Sequence, residues 1–96
     1  MKASEIFRLR LYVADQTLNS AQARANLATI CKEHLAGRAN VEIVDVLREP
    51  ERALEDGIFM TPMLVRLGPG PLRRIVGTLS QADRVLDALG VSAVAA

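Results

Sequence analysis

The chain has a single cysteine, Cys31, so its position decides whether thiol chemistry is available. A redox enzyme built on a strand–helix unit needs a thiolate at the N-terminus of its first helix, commonly in a C-x-x-C motif. Cys31 instead falls in the later turns of a predicted helix, on its apolar face, where a small core side chain is expected. The sequence therefore argues against redox catalysis, and a lone cysteine also rules out an intramolecular disulfide.

The other candidates for chemistry are no stronger. Cys31 and His34 are three residues apart on one helix, but zinc needs three or four ligands and no second pair exists. His34 is predicted to be an exposed residue beside the helix C-terminal dipole. The charged segment 48–52 (Arg-Glu-Pro-Glu-Arg) has no nucleophile nearby and is typical of a solvated helix start. Gly68-Pro69-Gly70-Pro71 lacks two of the amide donors of a phosphate loop, so it is predicted to be a turn. We therefore expect no metal, no cofactor and no enzymatic activity.

The adjacent arginines Arg73 and Arg74 allow two interpretations. Neighbouring residues of a strand point to opposite faces, so one arginine would meet the core side unless the strand lies at an edge. In the first interpretation both charges are free on an edge strand and prevent aggregation. In the second, they contact the acidic surface of a partner.

Composition indicates one small globular domain over residues 1–96, with a core at about 6–90 and a frayed tail at 91–96. Half of the 96 residues are apolar, and aromatic residues are scarce, which predicts an aliphatic core. The net charge of +1 argues against nucleic-acid binding through phosphate neutralisation. No apolar run is long enough for a membrane span and no signal-peptide pattern is present, so we expect a cytoplasmic protein.

Hydrophobic periodicity predicts the elements of the first half. Residues 6–14 alternate in polarity and are predicted to form a strand, and residues 20–35 an amphipathic helix that Asn19 caps and Gly37 ends. The nearly continuous apolar run 41–47 predicts a strand covered on both faces. Together these elements form a βαβ unit.

The second half begins with a short helix at 51–56, with Pro50 in its first turn and Gly57 as its stop. Strands are predicted at 63–67 and 72–76, paired as a hairpin around the turn 68–71. A closing helix with an apolar stripe is predicted to be capped by Ser80 and to end at Gly90. The resulting order, β-α-β-α-β-β-α with a mixed sheet, is that of the thioredoxin fold. The Thr61–Pro62 bond occupies the place where that superfamily usually has a cis proline, although the sequence leaves the isomer open.

Several stretches in register resemble the KaiB family of circadian-clock proteins. The strongest are Leu9-Arg10-Leu11-Tyr12-Val13-Ala14 and Pro71-Leu72-Arg73-Arg74-Ile75-Val76-Gly77, and the similarity extends from about Leu9 to Leu89. The resemblance implies a protein without catalytic activity that binds the N-terminal ATPase ring of a KaiC-type hexamer. It also implies two folds: a thioredoxin-like form that binds KaiC, and a self-associated resting form, a dimer or tetramer, whose C-terminal half is rearranged.

The sequence departs from cyanobacterial KaiB in three places. It has no acidic C-terminal tail, Asp15-Gln16-Thr17-Leu18 replaces a Gly-Asn-Thr-Pro loop, and Thr78 stands where aspartate is common. These departures weaken the expectation of KaiA binding and of a full oscillator. A short-tailed or non-cyanobacterial member that acts with KaiC as a simpler timer or stress protein fits the sequence equally well. A rival hypothesis is a thioredoxin-like adaptor for another protein, such as a kinase.

The resemblance and surface considerations together select the candidate site residues. Partner contacts are predicted at Arg8, Arg24, Arg73 and Arg74, and Thr61 and Pro62 are predicted to act as a structural pivot. Local propensity does not settle the second half of the chain, which permits two packings of similar free energy.

Overall fold

The computed structural model describes residues 6–15 and 17–91. The predicted order of elements is confirmed: β1 Phe7–Val13, α1 Leu18–His34, β2 Ala39–Asp45, α2 Pro50–Glu55, β3 Met63–Gly68, β4 Arg73–Val76 and α3 Ala82–Leu89. Most predicted boundaries agree to within one or two residues. Of the predicted tail, residues 92–96 lie outside the described residues.

The four strands form one mixed sheet in the order β2-β1-β3-β4. Strands β1 and β2 run parallel, with Leu9 opposite Val41, while β3 runs antiparallel to both β1 and β4. The expected parallel first half and antiparallel second half are therefore confirmed.

Two apolar clusters lie on opposite faces of the sheet. The larger cluster joins odd-numbered residues of β1 and Leu64 of β3 to the apolar stripes of α1 and α3. The smaller cluster lies under α2. Its buried members are Tyr12, Val44, Ala53, Ile58, Met63 and Val65. The face that carries the larger cluster is called the α1/α3 face, and the face that carries the smaller cluster is called the α2 face.

The prediction that the strand at 41–47 is covered on both faces is wrong. β2 is an edge strand that ends at Asp45, and Val41 and Ile43 are 37% and 41% exposed because α1 packs over β1 and β3 instead. Asp45 ends the strand, since its side chain accepts a hydrogen bond from the Leu47 amide at 2.9 Å and its carbonyl accepts from the Glu49 amide at 2.9 Å.

Both predicted N-terminal caps are wrong, although the helices themselves are present. Thr17 caps α1, because its Oγ1 accepts a hydrogen bond from the Ser20 amide at 3.3 Å and the helix begins before Asn19. Gln81 occupies the N-cap position of α3 without a side-chain hydrogen bond, so Ser80 lies one residue too early. The predicted end at Gly90 is confirmed, since this glycine adopts the left-handed conformation at φ 80°.

Candidate functional site

The four candidate arginines do not form one patch. Arg73 and Arg74 lie on β4, at one edge of the sheet, and both are exposed. Arg24 lies on α1 and lines a cleft of about 410 Å³ with residues of β2, at the opposite edge. Arg8 is exposed near the start of β1 and extends over β3, where a Cβ on Gly68 would lie 2.8 Å from its Nη2. A single partner contact of modest size could include Arg8, Arg73 and Arg74 but not Arg24.

The edge position explains how two adjacent arginines are accommodated. Arg73 is opposite Arg66 on the α1/α3 face, whereas Arg74 is opposite Val65 on the α2 face, and neither is forced into the core. The structure thus places the pair on an edge strand, as the first interpretation requires, while prevention of aggregation and contact with an acidic partner both remain predictions. Arg74 also has a local role, because its Nη2 donates to the Asp56 carbonyl at 2.7 Å, just beyond the C-terminus of α2. A cation at this position complements the helix dipole.

Exposed apolar side chains border Arg74 on the α2 face. We define the α2–β4 surface by Leu54, Phe59, Met60 and Val76, which are 67%, 82%, 59% and 51% exposed. Hydrogen bonds join the segments that carry them: the Ile58 amide donates to the Ala53 carbonyl at 2.8 Å, and the Gly77 amide to the Pro62 carbonyl at 3.0 Å. Exposed apolar side chains on such linked segments, with charged residues among them, are typical of a protein-binding surface.

The loop that carries Phe59 and Met60 leads into the candidate pivot. The Thr61–Pro62 bond is cis, as is Gly68–Pro69 at the β3–β4 turn. Pro62 is buried and Thr61 is half-buried. The isomer that the sequence left open is thus cis, while the pivot role of these two residues remains a prediction.

At the start of α1, where a redox protein of this fold would hold its thiolate, the structure has the cap residue Thr17 and the buried residue Ser20. The Ser20 hydroxyl is fully buried and accepts a hydrogen bond from the Ala14 amide at 2.9 Å.

Cys31 is half-buried against the larger cluster, and desolvation raises the pKa of its thiol, as expected of a core cysteine. His34 is half-buried rather than exposed and ends α1. No group of three or more metal-ligating side chains occurs among residues 6–15 and 17–91.

Sequence reasoning missed Arg66, a buried cation that joins two elements of the second half. Its Nη1 donates to the Leu89 carbonyl at the end of α3 and its Nη2 to the Pro71 carbonyl, each at 2.6 Å. The available signal was an arginine inside the apolar run Met63-Leu64-Val65-Arg66-Leu67, because a charge in a strand buried on both faces needs a specific partner.

Sequence reasoning also missed an ion-pair network between the sheet and α2. Arg10 on β1 contacts Glu42 on β2 and Asp56 beyond α2, each at 2.9 Å, and Arg52 on α2 contacts Glu42 at 2.7 Å. Hydrogen bonds from Arg52 and then Arg10 lower the pKa of Glu42 to about 2. The charged segment 48–52, predicted to be a solvated face, thus contributes Arg52 to a specific interaction.

Comparison with known proteins identifies relatives across most of the chain. A family model described as the KaiB domain matches residues 10–91. The circadian clock protein KaiB3 of a Synechocystis strain is 46% identical over 83 residues, which cover 86% of this chain and 81% of that protein. The circadian clock oscillator protein KaiB of Nostoc punctiforme is 40% identical over 89 residues, which cover 93% and 86%.

Solved structures agree on the fold. The N-terminal domain of SasA from Synechococcus elongatus superposes with a TM-score of 0.73 at 21% identity, covering 94% of this chain and 89% of that one. Chloroplastic thioredoxin z also gives a TM-score of 0.73, at 20% identity and with 90% and 77% coverage. The predicted thioredoxin-like architecture is confirmed. In the described part of the chain, every helix is too short or too polar to cross a membrane.

Proposed function

The chain belongs to the KaiB family, and we propose that it is a non-catalytic, cytoplasmic clock or timer regulator that binds the N-terminal ATPase ring of a KaiC-type hexamer. The observation that carries the proposal is the family match over residues 10–91, supported by relatives that are circadian clock proteins. The segment between β1 and α1 has no cysteine, which is consistent with a binding role and not with thiol chemistry.

The surface that best suits such binding combines the α2–β4 surface with Arg73 and Arg74. It offers four exposed apolar side chains beside two exposed cations on an edge strand. Apolar anchors with a charged rim are the usual composition of a specific protein interface. Arg8 lies on the same face as Arg74 and is proposed as a peripheral contact. Arg24 lies at the other edge and is proposed as a contact only for a partner that spans the sheet.

We also propose that binding is gated by conformational exchange. In this scheme the C-terminal half has a second arrangement in a self-associated resting state, and only the thioredoxin-like conformer described here fits the ring. Apparent affinity then falls in proportion to the rarity of that conformer. Thr61 and Pro62 are proposed to form the pivot between the halves, and binding to KaiA is proposed only where the host has that protein.

The direct test is size-exclusion chromatography of this chain, alone and after hours of incubation with the KaiC-type protein of its host in ADP or ATP. We expect slow co-elution with the hexamer, favoured by one nucleotide. If co-elution occurs with neither nucleotide, the KaiC role fails, and the remaining candidate is a thioredoxin-like adaptor for another partner, such as a kinase.

A matched pair of variants tests the surface itself. Arg74→Glu changes an exposed charge on the α2 face of β4, and Lys32→Glu makes the same charge change on the exposed side of α1, which packs on the other face of the sheet. Arg73→Glu changes the neighbouring edge charge, on the α1/α3 face. We expect Arg73→Glu and Arg74→Glu to reduce co-elution and Lys32→Glu to leave it unchanged. Circular dichroism checks that Arg74→Glu still folds, because its contact with α2 is lost. Equal co-elution of all three would exclude β4 from the interface.

A further inference from the structure

The contacts of α2 with the sheet are mostly charged. The helix has only six residues, and Ala53 is its only buried residue. A helix of that length is unstable in isolation and depends on the contacts it makes with the rest of the fold. One buried methyl group gives little apolar stabilisation, so polar contacts must contribute much of the docking.

Glu42 is the centre of those polar contacts. Its carboxylate lies between two arginines from different elements: Arg10 Nε reaches Oε1 at 2.9 Å, and Arg52 Nη1 and Nη2 reach Oε2 and Oε1 at 2.7 and 2.9 Å. Arg10 extends from β1 and Arg52 from α2. The bridge therefore connects α2 to the two strands at the far side of the sheet from β4.

A second connection is made at the C-terminal end of α2. The Asp56 carboxylate accepts hydrogen bonds from Arg10 Nη1 at 2.9 Å and from the hydroxyl of Tyr12. Tyr12 is fully buried, and its ring belongs to the smaller cluster beneath the helix. If α2 moved away, this hydroxyl would lose its acceptor and the cluster would meet water.

The interactions of the bridge are partly exposed, since Glu42 retains 46% of its side-chain exposure and Arg52 32%. Ion pairs in such positions are weak and are screened by salt, because the Debye length is about 8 Å at physiological ionic strength. The larger cluster, which holds α1 and α3, is apolar and does not share this sensitivity.

We propose that α2 is a charge-held lid over the smaller cluster, and that the Glu42 bridge sets how often the lid opens. Opening is local: it releases residues 50–57 and exposes Tyr12 while the larger cluster stays folded. Leu54, part of the α2–β4 surface, moves with the lid. Opening therefore also removes an apolar contact from that surface. The effect on partner binding rests on the proposed function, whereas the lid itself is a property of the chain alone.

The full chain contains a direct reporter, because Tyr12 is its only tyrosine and it has no tryptophan. Quenching of tyrosine fluorescence by acrylamide measures exposure of this ring, and amide hydrogen exchange measures the protection of residues 53–57. We expect both quenching and exchange at these positions to rise between 20 mM and 500 mM NaCl, with exchange in β1 and α1 unchanged.

Glu42→Gln removes the bridging charge and keeps the side-chain size, and Glu51→Gln is the matched control. Glu51 is exposed on α2, and no ion pair involves it among the described residues. We expect Glu42→Gln to speed exchange at 53–57 severalfold at low salt and to weaken the salt response, of which the Arg10–Asp56 pair retains a part, while Glu51→Gln behaves as the wild type. No KaiC-type protein is needed, so this test can fail independently of the proposed function.

Two results would overturn the lid. One is protection of α2 that equals that of β1 and does not change with salt. The other is a salt response that Glu42→Gln retains in full. If Glu42→Gln unfolds the whole chain, the salt series on the wild type still decides the question.

Discussion

Arg66 places a positive charge inside the fold, and no carboxylate of residues 6–15 and 17–91 forms an ion pair with it. It is 6% exposed, its two Nη atoms donate to carbonyls, and its Nε has no hydrogen-bond partner among the described residues. Glycines leave room for the guanidinium, since a Cβ on Gly90 would lie 3.1 Å from Nη1. The side chain thus joins the C-terminus of α3 to the β3–β4 turn.

We therefore expect Arg66→Ala to be strongly destabilising. Two charge-assisted hydrogen bonds and the packing of the side chain are lost together, so the free energy of unfolding should fall by about 2–4 kcal/mol. Urea denaturation measures the change. Arg73→Ala, at the position opposite on β4, is the control and should stay within about 0.5 kcal/mol of the wild type because this side chain is exposed. If Arg66→Ala lowered the free energy of unfolding by less than about 0.5 kcal/mol, the buried arginine would contribute little to stability.

Glu42 gives stability a pH dependence whose direction can be stated. Hydrogen bonds from Arg52 and Arg10 lower its pKa from 4.5 to about 2 in the folded chain. Between those values the unfolded chain binds a proton that the folded chain does not, so protonation favours unfolding. The stabilisation is fully present above pH 4.5 and is lost as the pH falls toward 2.

The measurement compares urea midpoints of the wild type and Glu42→Gln at pH 7, 4.5 and 3. The contribution of the other carboxylates to the pH dependence is common to both proteins and largely cancels in the difference between their midpoints. We expect the wild type to be more stable at pH 7 and the gap to narrow between pH 4.5 and 3. A gap that stays constant over this range would contradict the pKa assignment.

At the scale of elements, the sequence predicts where helices and strands lie better than how they end or pair. The period-two pattern of β1 and the apolar stripes of α1 and α3 come from burial on one face, and the structure confirms them. Strand order depends on contacts between residues far apart in sequence, so the exposed side of β2 could not be predicted from its apolar run.

The start of α1 illustrates the limit for caps. Thr17, Asn19 and Ser20 are all suitable residues, and local sequence does not distinguish among them. The tertiary structure does, because the Ser20 hydroxyl already accepts from the Ala14 amide of the preceding loop and Thr17 accepts from the Ser20 amide. The same reason hid Arg66 and Glu42 as partners. Arg66 contacts Leu89, 23 positions away, and Glu42 contacts Arg10 and Arg52, 32 and 10 positions away.

Substitutions of Thr17 and Asn19 test which residue caps α1. We expect Thr17→Ala to lower the free energy of unfolding by about 1 kcal/mol, because the Ser20 amide at the helix start loses its acceptor. Asn19 is exposed within the first turn and makes no side-chain hydrogen bond among the described residues, so Asn19→Ala should change stability little. Thermal or urea denaturation of the two variants decides between them. The reverse order would restore Asn19 as the cap.

For the whole molecule, the two halves of the chain differ in how they are held. The β1–α1–β2 unit shares the larger cluster and a parallel ladder. In the second half, α2 depends on Arg10 and Glu42 from the first half, and α3 depends on Arg66 and the larger cluster. A second half in which specific polar contacts supplement the apolar core is compatible with the proposed exchange, in which those contacts are broken together.

If that exchange limits binding, the kinetics of association with the KaiC-type ring must show it. Conformational selection predicts that the observed association rate levels off as the concentration of the ring is raised to an excess, because the slow conformational step precedes the encounter. Direct docking of the conformer described here predicts a rate that rises in proportion to ring concentration, at the typical protein association constant of about 10⁵–10⁷ M⁻¹s⁻¹. Fluorescence anisotropy of a labelled chain, followed over a tenfold range of excess ring concentration, separates conformational selection from direct docking.

Because the proposed resting state is self-associated, diluting the chain before mixing should increase the fraction that binds early. A rate that remains proportional to ring concentration, with no effect of dilution, would leave the binding role intact and remove the gate.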